Sequence, residues 1–98
     1  MALAKASGTF VGTGNGVVAN VDRGPVHLDI WNGFVGTVVL ERSTDNGVTW
    51  IAVAYSYGAT PISLTAPLST MIENVEACQY RWRCSAFTSG TISYRIGQ

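Results

Sequence analysis

Two runs with a period of two, GTVVLER and TWIAVAY, hang on the tripeptide Asp45-Asn46-Gly47, and they restrict this chain more than any other stretch. Successive side chains of a strand point to opposite faces. Val38 and Leu40 therefore share one face and Thr37, Val39 and Glu41 the other, while Ile51, Val53 and Tyr55 oppose Trp50, Ala52 and Ala54. A helix would repeat near 3.6 residues instead. Asp45 offers a carboxylate to the N–H groups of the turn, and Gly47 tolerates the positive φ that such turns require. The spacing predicts a hairpin over residues 35–55, to which the other strands add.

The same alternation recurs along the chain. Val26, Leu28 and Ile30 alternate with His27, Asp29 and Trp31. Tyr80, Trp82, Cys84 and Ala86 alternate with Arg81, Arg83 and Ser85, and after Thr88-Ser89-Gly90 the series Ile92, Tyr94, Ile96 alternates with Thr91, Ser93, Arg95. The last two runs read as a C-terminal hairpin. Residues 56–76 read as a long connection, with Ile62-Ser63-Leu64 as a short strand and Leu68, Met71 and Ile72 fitting one face of a single helical turn, although Ser69 and Thr70 suit a strand or loop equally well. Residues 1–8 are small and read as a flexible arm or a first edge strand, leaving 9–98 as one domain. Runs near 9–11, 17–21, 26–31, 36–42, 49–55, 61–65, 79–87 and 91–97 predict an all-β, antiparallel β-sandwich of seven to eight short strands, with a small closed β-barrel as the alternative.

A chain of 98 residues buries one core in two layers. Only 12% of its residues are charged, about half the ordinary share of about 25%, and six acidic side chains balance six basic ones. Nothing in that balance repels a second copy or attracts a polyanion, so self-association is expected and nucleic acid is not. The N-terminus has no charged region followed by an apolar one, so folding in the cytoplasm is expected. No apolar run approaches the roughly 20 residues of a membrane helix, so no membrane partner is expected.

The candidate chemical groups are few. GTGNG at 12–16 has the glycines of a phosphate loop, but the β-branched run Val17-Val18-Ala19-Asn20-Val21 follows it where a helix N-terminus would have to stand. His27 and Asp29 share the outward face of one strand, yet the chain has a single histidine and no third ligand, so neither a metal site nor a cofactor site is expected. Catalysis is not expected either. Cys78 and Cys84, about 20 Å apart if one strand carries both, are too distant for a disulfide with each other, although a bridge between copies stays open. Arg81, Arg83 and Arg95 read as one outward row suited to carboxylate or phosphate, with Glu41, Asp45, Glu73 and Glu76 available to neutralise it. Trp31 and Trp50 fall opposite the apolar faces, where they would be covered by loops, serve as anchors between copies or stack a sugar ring. These five residues are the candidate interface.

Ser43-x-Asp45-x-Gly47-x-Thr49-Trp50 resembles the Asp-box, a hairpin motif in which the serine and aspartate bind the turn backbone and the aromatic residue packs beneath it. That resemblance gives Ser43, Asp45, Gly47 and Trp50 a turn-stabilising role. A sialidase would need several copies on a propeller of 4–8 blades, for which this chain is too short. From about residue 26 onward, VHLDIW, GTVVLERSTDNGVTW and YRWRCSAFTSGTISYRIGQ together look like small all-β proteins of tailed-bacteriophage virions. The resemblance implies a non-enzymatic structural protein, foremost a capsid decoration or cement protein that folds in the host cytoplasm. It would bind copies of itself and the major capsid protein or another virion protein. A minor tail component and a carbohydrate-binding, host-attachment module are the alternatives.

Overall fold

Alternation gives each sheet one apolar face, and two sheets bury these faces by stacking. The computed structural model describes residues 4–54 and 60–98 of the chain. Its strands are β1 (Ala4–Phe10), β2 (Gly14–Asn15), β3 (Ala19–Val21), β4 (Gly24–Trp31), β5 (Phe34–Ser43), β6 (Ile51–Ala52), β7 (Ser63–Leu64), β8 (Leu68–Asn74), β9 (Cys78–Gly90) and β10 (Ile92–Gly97). One sheet has the order β1-β10-β4-β8; in the other, β9 and β5 pair centrally, with β2 and β3 on the far side of β9 and β6 and β7 on the far side of β5. All pairings are antiparallel. The fold is a β-sandwich, with more strands among the described residues than the seven or eight expected.

The core lies where the alternation puts it. Val26, Leu28 and Ile30 of β4 and Ile92, Tyr94 and Ile96 of β10 face Val38 and Leu40 of β5 and Tyr80, Trp82 and Cys84 of β9, all buried. Each buried aliphatic side chain contributes about 1.5–3 kcal/mol relative to exposure. The large rings also find polar partners: Trp82 Nε1 donates across the sandwich to the carbonyl of Arg95 at 3.4 Å, and the Tyr94 hydroxyl accepts from the backbone N–H of Val17 at 2.9 Å. Phe10 stacks on Tyr94 with ring centroids 4.8 Å apart. Gly16 lets the chain pass beneath these rings, since a Cβ there would stand 2.9 Å from the Trp82 carbonyl oxygen.

Four expectations need correction. The expected C-terminal hairpin does not exist, because β9 and β10 belong to different sheets: Gly90 (φ +91°) turns the chain across the sandwich rather than back along one sheet. Beside it Asn32 (φ +79°) carries β4 over to β5, and the N–H of Thr91 donates to the Gly33 carbonyl at 3.2 Å. Next, residues 4–8 take the edge-strand alternative and not that of a flexible arm: they are part of β1 on β10, where Ala6 is buried and Gly8 leaves room for the Tyr94 ring. Residues 1–3 lie outside the described residues.

The third correction concerns the expected organising hairpin. β5 pairs with β9 from Phe34↔Gly90 to Ser43↔Gln79, whereas β6 pairs with β5 only at Arg42↔Ile51 and Glu41↔Ala52. After that Ile62 wedges in: Leu40 N–H donates to its carbonyl, and its own N–H donates to Val53. Val53 still packs on the core, Ile51 is exposed, and Tyr55 lies outside the described residues. Finally, the stretch expected to be connection or helical turn contains β8, whose partner is β4 in a register from Gly24↔Asn74 to Ile30↔Leu68.

Candidate functional site

The turn after β5 is built by its own side chains. Ser43 Oγ accepts from the N–H of Gly47 at 2.8 Å and donates to Asp45 Oδ1 at 2.8 Å, and the same carboxylate oxygen accepts from the N–H of Thr49 at 2.8 Å. Asn46 (φ +60°) and Gly47 (φ +86°) occupy the left-handed region that a tight turn needs. Trp50 Nε1 closes the loop with a bond to the Gly47 carbonyl at 3.1 Å. Hydrogen bonds from Thr49 and Ser43 favour the ionised carboxylate and hold Asp45 down at about 2. Ser43, Asp45, Gly47 and Trp50 thus form one bonded unit.

That unit lays Trp50 on the outward face of β5 and β9, with the Arg81 guanidinium 4.2 Å from the indole centroid. Beneath lies Glu41, a buried carboxylate in register with Arg81. Its Oε1 accepts from Arg81 Nε and Nη2, each at 2.9 Å, and its Oε2 from Arg83 Nε at 3.1 Å. Both oxygens are occupied, so Arg81 is a layer between ring and carboxylate while Arg83, with 40% of its side chain accessible, reaches toward solvent.

Arg95 is not part of this group. It projects from the outward face of the other sheet, because β10 crosses the sandwich, and donates from Nη1 to Asp29 Oδ2 at 2.8 Å. The expected row of three arginines is therefore split between opposite sides of the molecule. Arg95 lies flat across Gly97, where a Cβ would fall 2.6 Å from its Nη2. The Ser69 hydroxyl of β8 occupies Asp29 Oδ1. Asp29 thus serves Arg95 and Ser69, and His27 stands exposed beside Met71 of β8.

The tryptophans are separated in the same way. Trp31 ends β4 on the outward face that bears Arg95, with Pro67, Leu68 and Ser69 around it, and Trp50 covers Arg81 on the opposite face. A sugar platform built from both rings is ruled out by this placement.

One polar residue escaped the pattern reading. Asn74, buried at the end of β8, donates from Nδ2 to the carbonyls of Asp22 and Glu76 at 2.7 Å each, and its Oδ1 accepts from the Tyr80 hydroxyl at 3.2 Å and the Cys78 thiol at 3.4 Å. It ties the ends of β3, β8 and β9 together. Its signal was the polar member of an inward series, Thr70, Ile72, Asn74. Both cysteines are free, and burial raises the thiol pKa of each, which disfavours the thiolate.

Among the described residues, no group of three or more His, Cys, Asp or Glu side chains is arranged to hold a metal ion. The arrangement suits contact chemistry: ion pairs, exposed aliphatic groups and the exposed indole of Trp31. No known protein family, no curated protein and no solved structure matches this chain.

Proposed function

We propose that this chain is a non-enzymatic structural protein of a tailed-phage virion, foremost a capsid decoration protein that associates with its own kind and bridges neighbouring capsid subunits. The carrying observation is the fate of its charges. Glu41 is consumed by Arg81 and Arg83 and Asp29 by Arg95, while Trp31, Val35, Ile51, Leu68 and Met71 remain exposed. Exposed apolar groups gain from being covered, and on these two outward faces the central carboxylates already have cationic partners. Each contact is weak, and repetition around a closed shell supplies avidity. The contact residues of this reading are Trp31 and the accessible head of Arg83, while Arg81, Arg95 and Trp50 hold the faces in shape.

The test is reconstitution. Heads of the encoding phage prepared without this protein bind it saturably, at a fixed number of copies per capsid subunit, and open at a higher temperature once coated. Absence of saturable binding overturns the head assignment, and saturable binding to tails alone moves it to a minor tail component. The runner-up, carbohydrate attachment, rests on Trp31 by itself. Saturable binding on a glycan array that Trp31→Ala abolishes would support it and count against decoration.

A further inference from the structure

The strand register sorts the chain's ends into two groups. The ends of β1, β4 and β9 and the starts of β5, β8 and β10 meet at one end of the sandwich, through Phe10↔Ile92, Ser93↔Trp31, Ile30↔Leu68 and Phe34↔Gly90. Among the described residues the segments there are Val11-Gly12-Thr13, Trp31 to Gly36, Thr65 to Leu68, and Thr88 to Thr91, and none of these contains an ionisable side chain. Val11 is 74% exposed, Val35 57%, Trp31 44% and Leu68 38%. Two shallow depressions open on this end, one walled by Asp29, Ile30, Trp31, Pro67, Leu68 and Ser69, the other chiefly by Phe34, Val35, Thr65 and Thr88. The charge that does reach this end is Asp29, at the rim of the first depression and paired with Arg95. At the opposite end stand Asp22, Arg23, Asp45, Glu73 and Glu76.

We infer that this end, whose one carboxylate is already paired, is the surface by which two copies join end to end, as the self-association step within the function proposed above. A two-fold contact sets each group against or near its own counterpart, so any charge close to the axis meets its like. This end satisfies that condition and the opposite end violates it. It also offers nothing to a nucleic acid or an anionic membrane, both of which require basic groups. The molecule measures 35 × 30 × 24 Å, so one end supplies at most several hundred Å² per partner. That lies below the roughly 800 Å² of a standard interface and corresponds to weak, reversible pairing.

Sedimentation velocity over roughly 10 μM to 1 mM measures it. The wild-type mass rises toward a dimer with concentration. Val35→Lys and Val11→Lys, both at solvent-exposed positions, weaken pairing at least about tenfold, because the two-fold places two added charges in one contact. Val48→Lys, at an 83% exposed site in the Asp45 turn, leaves it unchanged. A wild-type chain that stays monomeric throughout overturns the inference, and so does dimerisation that Val48→Lys weakens as much as Val35→Lys. Reconstitution on phage heads separates the two readings: a monomer that still coats heads saturably sinks the end-to-end contact and leaves the decoration role standing.

Discussion

The two outward faces of the sandwich carry the same kind of ion pair in different surroundings. On the β5–β9 face the carboxylate of Glu41 is buried, shared by two arginines and roofed by Trp50. On the β10–β4 face Asp29 and Arg95 keep about a quarter of their side-chain surface, and a serine hydroxyl completes the group. The difference comes from what folds over each. The Asp45 turn bends back across the first face and brings an indole with it, whereas the edge strand β8 brings Ser69, Met71 and Glu73 to the second, with no ring to cover the pair. Water screens an exposed pair and leaves it worth little, while a covered carboxylate with two cations becomes part of the packing. The first face is therefore architecture and the second is surface.

Breaking the corner that separates the faces should have the largest effect. Gly90 has φ +91°, and a Cβ there would stand 2.2 Å from the Gly33 carbonyl oxygen. Gly90→Ala combines left-handed strain with a backbone clash and should cost about 3–4 kcal/mol, read as a lower urea midpoint. Because this corner carries β9 into β10, the variant should also disturb both ion pairs. A cost below about 1 kcal/mol would mean that the two faces do not depend on it.

The comparison itself is sharpened by removing one carboxylate from each face. Glu41→Ala leaves Arg81 and Arg83 side by side without a counterion and should cost about 3 kcal/mol, since the lost acid is covered and doubly bonded. Asp29→Asn should cost about 0.5 kcal/mol, and less still in 1 M salt, because its pair is open to solvent. Equal costs in urea denaturation would erase the distinction between architecture and surface.

The faces of individual strands were legible from the sequence, whereas their partners were not. Alternation placed Val38, Leu40, Tyr80, Trp82, Ile92 and Tyr94 inward correctly, because that choice depends only on burying apolar area. The join at Thr88-Ser89-Gly90 misled, since a hairpin turn and a crossing between sheets both use a glycine at positive φ, and only tertiary pairing tells them apart. This one ambiguity put Arg95 on the wrong side of the molecule. β8 was hidden because Thr70 and Asn74 interrupt its apolar series, and Asn74 is inward for its hydrogen bonds rather than for hydrophobicity. The Asp45 turn was readable in detail because its bonds are local.

The smallest expected effect tests whether that turn, which carries the roof of the first face, is held by charge. Asp45 has its pKa lowered from 3.8 to about 2, chiefly by the hydrogen bond from Thr49. A depressed acid adds stability in full above its unfolded value and loses it as pH falls through its folded one. Between pH 3.8 and about 2 the unfolded chain takes up a proton that the folded turn refuses, so the advantage fades across that window. Asp45→Asn keeps the acceptor oxygen and discards the charge. The melting-temperature gap between wild type and variant should be constant above pH 4, narrow as pH falls toward 2, and close below it. A gap unchanged from pH 5 to pH 2 would show that geometry alone holds the turn, and Trp50 would then stay over Arg81 whatever the state of Asp45. A closing gap accompanied by a shift in Trp50 fluorescence would instead tie the roof of the β5–β9 face to a single exposed carboxylate, which nothing on the β10–β4 face requires.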